Sequence, residues 1–126
     1  INMKQLDYTV FPSEELTITV QDDPIYGGAH YYEVNNSLGF KDGKAIYVPS
    51  VQTIQFVEKK DDGEVIPGLQ SEQLAFILYD RCLKLNERFP SPHNLKMLAG
   101  LEIFLVACKE RVEERISRGV MGELKK

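Results

Sequence analysis

The chain has 126 residues, 43% of them hydrophobic, which is enough for one sizeable core or for two small layers that lean on each other. With 19 acidic against 15 basic side chains its net charge is −4, the wrong sign for the broad basic face of a polymeric nucleic-acid binder or for docking on an anionic membrane. The longest apolar-rich stretch, 95–106, is interrupted by Lys96, Gly100 and Glu102 and cannot span a bilayer. The opening Ile1-Asn2-Met3-Lys4 has no apolar h-region, so no secretory signal is expected and Met3 is a candidate native start.

The first half reads as β-structure. Residues 16–20 (Leu-Thr-Ile-Thr-Val) alternate apolar with threonine, the period of a half-buried strand, and Asp22-Asp23-Pro24 ends it. A second strand is expected over 29–35, after the Gly27-Gly28 pair. Residues 38–41 and 44–48 flank Asp42-Gly43, a pair that tolerates the positive φ of a type I′ turn, and so form a β-hairpin. Pro49-Ser50 breaks the chain. A further strand is expected over 51–59, with Ile54, Phe56 and Glu58 on one face and Thr53, Gln55 and Val57 on the other. Asp61-Asp62-Gly63 and Pro67-Gly68 then mark an exposed connection.

The second half reads as two helices. The first starts near Ser71 as N-cap, carries Leu74, Ile77, Leu78, Cys82 and Leu85 as its apolar face, and ends at Phe89-Pro90. Ser91-Pro92 opens the second cleanly, with serine as N-cap and proline at the first helical position. Its apolar face is Leu98, Leu101, Leu105, Cys108, Val112 and Ile116, and the short connection forces an antiparallel hairpin. At roughly 17 and 27 residues the helices differ by about 15 Å, so the second overhangs the first and exposes apolar surface for the sheet or another copy to cover. The expected fold class is therefore α+β: a single domain, 1–126, with a small antiparallel sheet region over 15–60 and a helical hairpin over 70–122. Cys82 and Cys108, one on each helix, could lie near each other and are read as two small buried thiols. Two histidines and no Cys-x-x-Cys make a zinc site improbable, and no metal or other cofactor is expected.

Near the end of the second helix Arg111, Arg115 and Arg118 recur at i, i+4 and i+7, one narrow stripe, before Gly119 stops the helix. Guanidinium is always charged, and its rigid fork of donors matches phosphate oxygens. Such a local patch on an acidic chain points to a small phosphorylated ligand. The plainer alternative is a solvated face salt-bridged to Glu110 and Glu114. Arg118-Gly119 also reads as an ordinary C-terminal cation and C′ glycine. Gly28, Ala29, His30 and Tyr31 form a second stretch of interest, since glycines let backbone N–H groups approach phosphate, although such a pair more often only opens a turn. Phe40 and Tyr47 could stack on a base or simply pack the hairpin. No nucleophile–base set can be assembled from two histidines, and the chain is read as a binder, not an enzyme.

The segment 86–122 resembles a helical hairpin of phage anti-defence proteins, the nucleotide sponges that counter bacterial Thoeris and CBASS immunity. The matching residues are Asn94 near the start of the second helix, Leu101-Glu102 in its middle, and the ending Arg111…Arg115-x-x-Arg118-Gly119-Val120-x-Gly122. The anti-CBASS members resemble the hairpin alone, whereas a preceding β-region is what the first class of Thoeris sponges adds, so the whole chain looks like one of those. The resemblance implies tight, non-destructive binding of glycocyclic ADP-ribose in the cytoplasm of the infected host, by homodimers that pair into homohexamers. It assigns phosphate contacts to Arg111 and Arg115 and a ligand contact to Asn94, whose plainer role is hydrogen bonding near the cap. In some relatives a second site takes cyclic trinucleotides, and there Arg118 and Gly119 approach the ligand. The chain departs from many relatives in carrying Phe104-Leu105 for Trp-Leu and Met-Gly-Glu for Glu-Gly-Thr in the tail. The alternatives are a sponge for cyclic di- or trinucleotides, an enzyme that degrades the messenger, and a protein-interaction module.

Overall fold

The computed structural model describes residues 3–6, 16–21 and 29–119. Asp22-Asp23-Pro24, Gly27-Gly28 and the Met-Gly-Glu tail lie outside them. The fold is α+β, an antiparallel sheet followed by two long helices. Contacts divide the chain into two compact units, Ile1–Gly68 and Leu69–Lys126.

In the first unit β1 (Met3–Gln5), β2 (Leu16–Gln21), β3 (Tyr31–Lys41), β4 (Lys44–Tyr47) and β5 (Gln52–Gln55) form one sheet. β3 is its spine. β2 pairs with residues 32–36 of β3, β5 with 31–34 and β4 with 37–41, all antiparallel. The two strands expected over 29–35 and 38–41 are thus one continuous strand of 11 residues, with a register shift between Ser37 and Gly39. Asn36-Ser37 looks like a break in sequence, but the shift absorbs the irregularity while pairing continues. The hairpin turn is as expected: Asp42 and Gly43 both take positive φ, 51° and 77°, and Lys41 faces Lys44. Register places Ile18, Val20, Tyr32, Val34 and Ile54 on one face, where Tyr32 meets Phe56 edge-on at 5.8 Å between ring centroids.

The strand expected over 51–59 is instead two pieces. β5 stops at Gln55, and β6 (Glu58–Lys59) pairs with β7 (Val65–Ile66) across the Asp61-Asp62-Gly63 turn. The interruption has a cause at Gly68, which packs directly on the chain there. A Cβ on Gly68 would stand 2.6 Å from the Phe56 carbonyl carbon and 2.8 Å from the Val57 nitrogen, and closer still to the Gln55 carbonyl oxygen. Only a glycine permits that approach.

In the second unit α1 (Ser71–Arg88) and α2 (Pro92–Ser117) form the hairpin. Ser71 is the first helical residue and not the cap. Gln70 holds that place, its N–H donating to the Gln73 side chain at 2.8 Å. Ser91 caps α2 as expected, its Oγ accepting from the Asn94 N–H at 3.0 Å with Pro92 following. Gly119, at φ 72°, ends the helix and donates its N–H to the Ile116 carbonyl.

The apolar face of α2 is largely as expected, from buried Leu98 through half-buried Leu101, Leu105, Cys108 and Val112, although Ile116 is exposed. The face of α1 is as expected only in part. Leu74 and Cys82 are half-buried, alongside buried Ala75 and half-buried Tyr79 and Asn86, while Ile77, Leu78 and Leu85 stand exposed. α1 carries apolar residues around most of its circumference, and one partner helix covers only a stripe of it. The small, partly polar stripe is the one used, and it is fixed by Tyr79, whose Oη donates to Glu102 at 2.9 Å. That pairing sets the register and places the level of Ser71 near residue 110 of α2, so the last turns of α2 overhang α1. It also separates the cysteines: Cys108 lies about nine residues, or about 13 Å, along the axis from the level of Cys82. They are not neighbours, and both are half-buried free thiols.

Candidate functional site in the helical hairpin

Because the helices are antiparallel, the first turn of α1 lies beside the last third of α2. Ser71, Phe104, Ala107, Cys108 and Arg111 enclose a hollow there of about 300 Å³. A wider apolar groove of about 560 Å³, with Phe76, Leu105, Val106 and Val112 in its walls, shares Cys108 with it. Glu72, Lys109 and Glu113 also line the groove, and Lys109 pairs with Glu113 at 3.9 Å.

The three arginines meet different fates. Arg118 is spoken for: its guanidinium grips both oxygens of the Glu114 carboxylate, Nη2 reaching Oε2 at 3.1 Å, and its backbone N–H donates to the Glu114 carbonyl. Glu114 is thereby taken away from Arg111. Among the described residues Arg111 has no acidic partner within ion-pair distance, and it is the arginine that lines the hollow. Arg115 is half-buried one turn further on. At Arg111 the salt-bridged alternative therefore finds no partner among the described residues, while Glu114 pairs with the helix-end cation Arg118.

Asn94 sits in the first turn of α2, where its Nδ2 donates to the Phe89 carbonyl at 2.9 Å and ties the end of α1 to the start of α2. The plainer role is therefore present. Asn94 and Arg111 are about 25 Å apart along α2, too far for one small ligand to touch both within a single chain.

The other named residues belong to the first unit. Gly28 lies outside the described residues. Ala29 is exposed with φ 62°, an uncommon conformation for a residue with a Cβ. His30 is half-buried against Glu58, Nε2 to Oε1 at 3.9 Å, and its carbonyl accepts from the Phe56 N–H and from Gln55 Nε2. Tyr31 begins β3 and Phe40 nears its end, half-exposed, so about 30 Å of strand separates them.

Sequence reasoning missed three features. Glu58 is a buried carboxylate, 7% exposed, held between His30 and Lys60 at 3.9 Å each. Alternation puts its side chain on the same face as Ile54 and Phe56, which is the available signal. Phe104 was noted only as a departure from relatives, yet it falls two turns before Arg111 on the same helical stripe. Ser71 could be found only through the hairpin register.

Two pKa directions are set within the hairpin. The hydrogen bond to Glu102, and then its charge, hold the exposed Tyr79 hydroxyl above the ordinary phenol range. Asp80 raises Lys84 by a hydrogen bond at 2.9 Å and by its charge. Among the described residues there is no group of three or more metal-ligating side chains, and no helix is long and apolar enough to cross a membrane. No family model matches the chain, and no curated protein matches it.

Proposed function

We propose that this is a phage anti-defence protein that captures glycocyclic ADP-ribose in the cytoplasm of the infected host and holds it intact, so that the Thoeris effector is never triggered. The observation that carries the proposal is Arg111, a forked cation without an acidic partner among the described residues, facing a hollow of about 300 Å³ one turn from Arg115. A diphosphate supplies the matching acceptors, each charge-assisted bond being worth about 1.5–3 kcal/mol. Sequestration needs tight contact and no activated nucleophile, and among the described residues no histidine or carboxylate stands in the lining of the hollow beside Ser71 or Cys108 to act as their base.

Asn94 takes part only if a second copy lies alongside with its α2 reversed, which brings one copy's Asn94 toward the other's arginines. Self-association is supported by the apolar side chains that the hairpin leaves uncovered, among them Phe76 at 61% and Ile103 at 72% exposure. A homodimer, or a homohexamer built from it, covers such surface.

Calorimetry with glycocyclic ADP-ribose and with cyclic trinucleotides, followed by heat release and mass spectrometry of the ligand, tests this. Wild-type protein is expected to bind the ADP-ribose isomer and return it unbroken, and Arg111→Ala to weaken binding about 10- to 150-fold. Capture undiminished in Arg111→Ala refutes the role of the guanidinium. Hydrolysed products identify an enzyme instead, and binding of cyclic oligonucleotides alone identifies a CBASS-type sponge.

A further inference from the structure

We infer that Phe104 is the base-reading residue of the Arg111 hollow, a stacking platform that makes the site selective for the adenine-bearing half of a nucleotide ligand. The inference rests on the sponge reading and adds to it a residue and a specificity. Phe104 is 44% exposed, so a large part of its ring meets solvent at the wall of the hollow. It precedes Arg111 by seven residues, two helical turns on the same stripe, about 10.5 Å along the axis. Helical side chains lean toward the N-terminus, and the longer arginine leans further, so its guanidinium is carried back toward the ring.

The hollow thus has an aromatic ring toward one end, a guanidinium fork toward the other and Ser71 on the opposite helix. A nucleotide has that order of chemistry: a flat base, a hydroxyl-bearing sugar, then phosphate. At about 300 Å³ the hollow stands at the lower end of the range for ligand pockets, room for one nucleotide and not for two. Ala107 and Cys108 complete the wall with small side chains that offer no competing charge.

The chain contains no tryptophan, which gives a direct test. Phe104→Trp introduces a lone indole at the stacking position, and Phe104→Leu keeps an apolar side chain while removing the π face. Both are titrated with glycocyclic ADP-ribose, with inorganic pyrophosphate as the base-free control. Phe104→Leu is expected to weaken glycocyclic ADP-ribose about 5- to 150-fold, the span of losing one base–aromatic stack. Phe104→Trp is expected to bind within about threefold of wild type, its emission quenched by glycocyclic ADP-ribose and not by pyrophosphate. Unchanged affinity in Phe104→Leu, or emission that ignores glycocyclic ADP-ribose or responds equally to pyrophosphate, overturns the role of Phe104 and leaves the arginine site standing. If Phe104→Leu does not fold, the tryptophan emission decides alone. Wild-type protein that binds no glycocyclic ADP-ribose overturns the sponge reading and this inference together.

Discussion

Alanine at Gly68 and alanine at Gly100 should move stability in opposite directions, although the chemical change is the same. At Gly68 a Cβ falls 2.6 and 2.8 Å from the backbone of Phe56 and Val57, roughly 0.6–0.8 Å inside ordinary contact. That backbone cannot retreat freely, because the Phe56 N–H donates to the His30 carbonyl at 2.7 Å and the Phe56 carbonyl accepts from Gln55 Nε2 at 2.7 Å. Relief therefore strains or breaks those bonds, at a cost of about 1–3 kcal/mol. For a unit of this size each kcal/mol lowers the midpoint by about 4–8 °C. At Gly100, in the middle of α2, a Cβ meets nothing within 4 Å. There alanine is expected to stabilise the hairpin by about 0.5–1 kcal/mol by restricting the unfolded chain. Thermal melts give the sign, and hydrogen exchange locates it: faster exchange over 52–60 for Gly68→Ala, slower exchange along α2 for Gly100→Ala. Equal shifts in the same direction, or a Gly68→Ala midpoint within 1 °C of wild type (about a tenth of the expected shift), refute the close-approach account.

The Tyr79–Glu102 bond makes the hairpin alkali-sensitive in a defined sense. Its folded-state pKa is raised, so the stability it contributes is fully present below the ordinary phenol value of 10.0 and is lost as pH rises through the higher folded value. Absorbance titration of tyrosinate should show one late-titrating group that disappears in Tyr79→Phe and returns toward 10.0 in Glu102→Gln; a titration curve identical in all three proteins contradicts the bond. The cysteines should stay unpaired within a chain: after mild oxidation of dilute protein, mass spectrometry should find no Cys82–Cys108 disulfide, since about 13 Å of helix separates their levels.

What the sequence revealed was local. Asp42-Gly43, Ser91-Pro92 and Gly119 each act within a few residues, through a positive φ, a side-chain cap or a fixed ring, and each lies where its chemistry requires. Apart from the one-residue shift of the first helix cap from Ser71 to Gln70, the differences are long-range. Nothing near Asn36 says that β3 continues, because what carries it through is pairing with β2 and β4. The end of β5 is imposed by Gly68, twelve or so residues downstream. The covered face of α1 was read only in part because periodicity reports where apolar residues are, not which of several apolar stripes a partner will choose. At the candidate site the arginine stripe was legible from spacing alone. That Arg111 has no acidic partner among the described residues was not, since that depends on Glu114 choosing Arg118.

One strand serving three neighbours has an evolutionary consequence. Because β2, β4 and β5 all take their alignment from β3, a residue inserted within its 31–36 stretch reverses the inside and outside of the rest of the strand against two neighbours at once, whereas the irregularity at 37–39 lies beside β4 alone. Length variation among descendants of this chain should therefore collect at turns such as 61–63 and spare β3, leaving the spine constant in length even where its side chains drift.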